Sequence, residues 1–234
     1  MNQGVISRQY FRFFYMKHFL RTVCLFLLIA KSLEAQNTAA VRFVRNQGQW
    51  DAAVRYRADI PGGYLLLKQK SLMYVFMEAE GIRSRHATVG NNAAARTADL
   101  LNGHAVEVFF EGANTAIKVE EEHQNATLFN YYLGNNPQQW AAQVPAFGEV
   151  IYHDIYPGID FKMYAFRETL KYEFIVAPNA DVSKIKLRYE GSKSLTLVDN
   201  QLSVETSINN FRELKPYTYQ EINERTTRWL HYII

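Results

Sequence analysis

The stretch "FGEVIYHDIYPGIDFKMYAF", Phe147 to Phe166, contains the pattern that decides the fold. Apolar and polar residues alternate on both sides of Pro157-Gly158, with Ile159, Phe161 and Met163 expected on one face. Such alternation is typical of half-buried strands. Pro-Gly fits a tight turn, because Pro fixes φ and Gly tolerates positive φ. The stretch therefore predicts a β-hairpin.

Three polar side chains, His153, Asp154 and Asp160, flank this turn. We expect the two carboxylates to accept backbone N–H groups of the turn, a role that needs no ligand. A glycosidase would need a cleft between paired carboxylates, and zinc would need more closely spaced histidines. Calcium accepts carboxylates, but this spacing matches no known calcium loop. The sequence predicts no catalytic, cofactor-binding or metal-binding residue, and no cofactor.

Further strand patterns occur along the chain. These runs are Val54–Ile60, Gly63–Gln69, Leu72–Ala79, Leu170–Pro178, Lys184–Gly191, Ser194–Asn200 and Gln201–Ser207. Short strands separated by turn residues indicate an all-β fold. We predict a β-sandwich-like fold of two packed β-rich halves, residues 36–145 and 146–234, and we expect the second half to be truncated. The polar, Ala- and Asn-rich residues 78–103 predict a long loop.

The segment from Asn130 to Val150 is predicted to be a connector, because Gly134, Pro137 and Pro145 interrupt regular structure. It contains Trp140. A lone Trp is usually largely buried, so we predict that this ring anchors the connector on the core. A ligand-stacking platform is the alternative.

Residues 1–35 have the order of a secretory signal peptide. Basic residues precede the apolar run Val23–Ala30, and Leu33-Glu34-Ala35 offers a cleavage site. A membrane anchor is the alternative, but the apolar run is shorter than the about 20 residues that a spanning helix needs. We predict export and cleavage after this segment.

Removal of that segment changes the charge and the cysteine content. The whole chain has 26 basic and 23 acidic residues; five basic and one acidic residue lie in residues 1–35, so 21 basic and 22 acidic residues remain. The mature chain therefore lacks the basic excess of a nucleic-acid-binding domain. The single cysteine, Cys24, lies in the leader, which excludes disulfides and cysteine catalysis from the mature chain.

The chain also resembles a known group of domains. The resemblance rests on the blocks "FVRNQGQWDAAVRYRADIPGG", "NYYLGNNPQQWAAQV", "VIYHDIYPGIDFKMY", "LKYEFIVAPNADVSKIKLRYEG" and "ELKPYTYQEIN". These blocks are similar to the uncharacterised β-rich domain near the N-terminus of large exported bacterial proteins. Those proteins continue into SBBP (β-propeller) repeats and a gliding-motility-associated C-terminal domain. The resemblance implies an all-β domain at the cell surface or outside the cell, without an established catalytic activity or site residues.

These observations predict a noncatalytic module of an exported cell-surface protein, which acts in adhesion or assembly and is not an enzyme. The alternative is a carbohydrate-binding or carbohydrate-processing domain that uses Trp50, Trp140 and tyrosines as stacking platforms. The expected partners are cell-surface or extracellular components, including glycans. We expect no nucleic acid as partner, and membrane contact only through the export signal.

Overall fold

The structure, a computed structural model, describes residues 41–78, 102–166, 169–222 and 225–229. Within these residues almost all regular structure is strand. The strands are β1 (Phe43–Arg45), β2 (Val54–Ile60), β3 (Gly63–Lys68), β4 (Ser71–Met77), β5 (Gly103–Phe110), β6 (Lys118–Gln124), β7 (Phe129–Tyr131), β8 (Ala141–Val144), β9 (Ala146–Tyr156), β10 (Ile159–Phe166), β11 (Thr169–Val176), β12 (Leu187–Glu190), β13 (Ser194–Val198), β14 (Gln201–Glu205), β15 (Asn210–Glu213), β16 (Thr218–Ile222) and β17 (Arg225–Trp229). Two short 3-10 helices cover Pro137–Gln139 and Val182–Lys184.

Ten of these strands form one antiparallel sheet. Its order is β11-β10-β9-β1-β2-β3-β4-β5-β12, and β6 pairs with β9 beside this path. The long strand β9 is central, because it pairs with β1, β6 and β10. Three smaller sheets consist of β13-β14-β15, β16-β17 and β7-β8.

The large sheet curls back on itself. Phe110 of β5 lies six strands from β10 in the sheet order, yet its ring centroid is 4.8 Å from that of Phe161. The ring of Phe174, on β11, is 5.3 Å from Phe161 as well. Curling encloses the apolar face of each strand, as the burial of alternating residues in β10 shows: Ile159, Phe161 and Met163 are at most 1% exposed.

The β13-β14-β15 sheet packs against part of the large sheet as a second layer. Phe211 of β15 contacts Tyr74 and Phe76 of β4, with ring centroids 4.8 and 5.5 Å apart. The Tyr172 hydroxyl of β11 donates a 2.7 Å hydrogen bond to Glu213 Oε2. Burial, followed by the nearby Glu213 carboxylate, raises the pKa of Tyr172 well above its ordinary value. Sheet packed on sheet is the arrangement expected of a sandwich-like fold.

The prediction of an all-β fold is confirmed, and the predicted strands are found within a few residues of their expected bounds. The ten-stranded sheet takes strands from both predicted halves, and their boundary stays a prediction. The predicted signal peptide and most of the predicted loop 78–103 lie outside the described residues. Within the described part of the chain, no helix has the length and apolar character needed to cross a membrane.

Candidate functional site

The β9–β10 hairpin has the turn that the sequence predicts. Tyr156 pairs with Ile159, so Pro157 and Gly158 form the two-residue connection, and Gly158 has φ +72°. The strand register shifts next to this turn. Between the pairs Tyr156–Ile159 and Tyr152–Phe161, three residues of β9 lie opposite Asp160 alone. The extra residues on β9 form a bulge, with Asp154 at φ +51°.

The two aspartates bind the backbone of this bulge and turn. Asp160 Oδ1 accepts from the Asp154 N–H at 2.7 Å, and Asp154 Oδ1 accepts from the Gly158 N–H at 3.1 Å. The prediction that these carboxylates cap turn N–H groups is confirmed.

His153 lies between two carboxylates on the outer face of the sheet. Its Nδ1 is 3.0 Å from Asp160 Oδ2, and its Nε2 is 2.8 Å from Glu120 Oε2 on β6. The hydrogen bond to Glu120, followed by the bond and attraction of Asp160, raises the pKa of His153. Both ring nitrogens are engaged, so neither is free to accept a proton from a substrate. The cluster therefore acts as an ion-pair link between β6, β9 and β10.

A second group on β6 and β9 has the composition of a metal site. One ligand atom from each of Glu122, His123 and Glu149 lies within 4.8 Å of the other two. The lack of a side chain at Gly148 leaves space for the His123 side chain, because a Cβ at position 148 would be 3.2 Å from the His123 Cβ. Two carboxylates and an imidazole are donors that suit zinc and related ions.

Lys162 competes with a cation for this group. Its Nζ is 2.8 Å from Oε1 of the buried Glu149, and the two groups form an ion pair. Burial lowers the pKa of Lys162, but the interaction with Glu149 outweighs that effect and raises it. The Glu149 charge is thus already compensated, and the arrangement is complete as an ion-pair network.

The two tryptophans that the sequence offers as platforms lie in different environments. Trp50 is half-buried and packs edge-to-face on Tyr131, with centroids 5.2 Å apart, beside the apolar group of Val144 and Ala146. Its role is packing. Trp140 is 44% exposed. The prediction that Trp140 is a buried anchor is therefore wrong.

Trp140 forms an exposed aromatic pair with Tyr132, which is 63% exposed. The two rings meet edge-to-face, with centroids 5.7 Å apart and an interplanar angle of 89°. The indole N–H donates to the Gly134 carbonyl at 3.2 Å, which fixes the ring orientation. Leu128 and Leu133, 43% and 49% exposed, add apolar surface along the same segment. We call residues 128–140 the aromatic loop.

The aromatic loop is held at both ends and is rich in amides. Its flanks pair as β7 and β8, with Phe129 opposite Val144 and Tyr131 opposite Ala141. Inside it, Asn136 Oδ1 accepts from the Gln138 N–H at 3.1 Å and caps the first 3-10 helix. The 25 residues from 124 to 148 contain no charged residue and no histidine. The surface is therefore aromatic, amide-rich and uncharged.

A comparison with models of protein families identifies the family of this chain. The model of a domain of unknown function, DUF7948, matches residues 43–232. The chain belongs to the DUF7948 family. The match begins with the first residue of β1 and includes all the strands described above. No curated protein and no solved structure matches the chain. The relation of this DUF7948 domain to SBBP repeats and gliding-motility domains, expected from the resemblance, stays a prediction.

Sequence reasoning missed two features of the DUF7948 domain. Glu122 and His123 lie next to Glu149 because β6 pairs with β9. Residues 26 or more positions apart in sequence form no short motif from which this contact could be predicted. The exposure of Trp140 had a signal: the ring lies in a run of amides and glycine without flanking apolar alternation, "GNNPQQW".

Proposed function

We propose that this chain is the noncatalytic β-rich module of an exported cell-surface protein, that it acts in adhesion, and that its ligands are neutral glycans. The observation that supports the proposal is the aromatic loop. Trp140 and Tyr132 present ring surface to solvent on a segment that paired strands hold in place. Exposed aromatic clusters on soluble proteins commonly mark interaction surfaces.

The chemistry of the loop favours a neutral, hydroxyl-rich ligand. The apolar face of a sugar ring packs on an aromatic ring, while amides donate and accept hydrogen bonds with its hydroxyls. Asn135 and Gln139 are exposed and supply such amides beside Trp140. A charged ligand would gain little, because residues 124–148 carry no formal charge.

Binding is favoured over processing of the carbohydrate. Glycoside hydrolysis requires two carboxyl groups held on either side of the glycosidic bond. The aromatic loop contains no acidic residue, and the acidic clusters described above belong to ion-pair networks on β6, β9 and β10. We therefore propose that the module binds glycans without cleaving them.

A pull-down with insoluble polysaccharides tests the binding. The full-length chain is incubated with cellulose, chitin or xylan, and the bound fraction is measured for the parent, Trp140→Ala and Tyr132→Ala. Loss of a stacking ring should weaken binding about tenfold, which corresponds to about 1.4 kcal/mol. Tyr217→Ala is the matched control, because Tyr217 is 60% exposed and lies outside the loop. Equal binding by the parent and Trp140→Ala, or no binding to any polysaccharide, would refute the proposal.

Two further measurements separate the remaining parts of the proposal. Release of soluble reducing sugars from the same polysaccharides would show processing, and the proposal expects none. Mass spectrometry of the protein from the native cell envelope or medium tests export, with an N-terminus near Gln36 expected. An intact N-terminus in the cytoplasm would remove export from the proposal and leave glycan binding to be judged separately.

A further inference from the structure

Strand β13 is an exposed edge strand of the small sheet β13-β14-β15, and none of its residues is charged. Among the described strands it pairs only with β14, so the backbone groups on its other side have no strand partner there. All five residues of β13 are exposed. Leu195, Leu197 and Val198 are 45%, 50% and 54% exposed. An apolar edge strand is a template for pairing with another chain.

The edges of the large sheet are built differently. Strand β11 carries Lys171 and Glu173, and strand β12 carries Arg188 and Glu190. Charged side chains on an edge strand discourage pairing with a second chain. This protection is missing from "SLTLV", the sequence of β13.

The sequence around β13 is complementary to itself in the antiparallel direction. If two copies pair with Thr196 opposite Thr196, then Leu195 of each copy lies opposite Leu197 of the other. The same register places Lys193 opposite Asp199 at both ends of the pair. Among the described residues, neither Lys193 nor Asp199 takes part in an ion pair, so both charges are available for this contact.

Leu195 and Leu197 lie on the face of β13 that continues the apolar layer of the small sheet. Their partners on β14 are Val204, which is fully buried, and Leu202. Val204 is thus buried, whereas the two leucines of β13 on the same face remain about half exposed. Pairing with a second copy would extend this apolar layer across the symmetry axis.

We propose that β13 forms the interface of a homodimer by pairing antiparallel with β13 of a second copy, centred on Thr196. The resulting sheet has six strands. An interface of one short strand pair is small, so we expect a reversible dimer with a Kd of about 100 µM. This inference does not depend on export or on glycan binding.

Sedimentation equilibrium on the full-length chain tests the interface. The average mass should rise from monomer to dimer with concentration. Leu197→Lys should raise the Kd by at least about tenfold, because each copy then places an ammonium group against an apolar side chain. Leu214→Lys is the matched control, since Leu214 is 74% exposed and lies outside β13. A monomer at all concentrations, or unchanged association of Leu197→Lys, would overturn the proposal.

Disulfide trapping tests the register. In a Cys24→Ser background, Thr196→Cys should form a covalent dimer on mild oxidation, because directly opposed residues have Cα atoms about 4.5–5.5 Å apart. Ser194→Cys is the control on the same strand: its two copies would be offset by four residues, about 13 Å. Cross-linking of Ser194→Cys in place of Thr196→Cys would refute this register. If Leu197→Lys instead lowers the stability of a chain that is always monomeric, β13 is covered within one molecule and the proposal fails.

Discussion

Replacement of Gly158 by alanine tests whether the β9–β10 turn depends on backbone geometry. Gly158 has φ +72°, where an L-residue costs about 1–2 kcal/mol. A Cβ there would be 3.0 Å from the Ala180 Cβ and 3.8 Å from the Ala177 Cβ, and such crowding costs about 1–3 kcal/mol. Reduced freedom of the unfolded chain offsets about 0.4–1 kcal/mol. We expect the free energy of unfolding to fall by about 2–3 kcal/mol.

Gly134→Ala is the matched control for this experiment. Gly134 has a similar φ of +66°, but a Cβ there would have no neighbour within 4 Å. Its substitution should therefore cost only about 0.5–1 kcal/mol, the strain less the entropic gain. Urea denaturation followed by tryptophan fluorescence measures both variants. Equal losses at the two positions would show that the contact with Ala180 is unimportant, and an unchanged Gly158→Ala variant would refute the turn argument altogether.

Two further variants test the core and the outer face. Phe161→Ala should lower the free energy of unfolding by about 3–5 kcal/mol, because Phe161 is 1% exposed and its ring contacts Phe110 and Phe174; a loss below about 1 kcal/mol in urea denaturation would contradict this core. For His153→Ala, the loss of stability relative to the parent should be greatest below pH 6.5, the ordinary pKa of histidine, and should shrink as the pH rises through the raised pKa of His153. Thermal denaturation between pH 5 and 9 measures this difference, and a loss that grows with pH would contradict the bridge to Glu120 and Asp160.

The sequence predicts those parts of the fold that depend on local signals. Strand β2 is found at its predicted bounds, Val54–Ile60, because alternation and the following Pro61-Gly62 turn are both encoded within a few residues. The hairpin turn between β13 and β14 follows from an equally local signal: Asp199 and Asn200 form the connection, and both have positive φ. Asn and Asp tolerate this conformation better than other non-glycine residues.

The sequence is less informative where contacts are distant or strands are short. The predicted connector, residues 130–150, overlaps β7, contains β8 and includes the start of β9. Strands of three and four residues, such as β7 and β8, are too short to show a clear alternation of apolar and polar residues. The contact of His153 with Glu120 joins residues 33 positions apart, and only the register of β6 on β9 creates it. Burial of a single Trp depends on which elements cover it, and for Trp140 the local signal of exposure is the amide- and glycine-rich run that precedes it, "GNNPQQW".

The distribution of charge over the described surface connects the two proposals. On β6, β9 and β10 the charged side chains largely satisfy one another, which favours a rigid surface over one that binds a ligand. The aromatic loop and β13 are two uncharged, exposed segments, and each fits a different kind of contact. A dimer formed through β13 would carry two aromatic loops, so binding to a polymeric glycan would become bivalent. Bivalency can raise the apparent affinity by about 10² to 10⁴ where both sites engage at once. A weak dimer would then be stabilised by the surface to which it binds, and Leu197→Lys should reduce retention on an insoluble polysaccharide while leaving the affinity for a short soluble oligosaccharide unchanged.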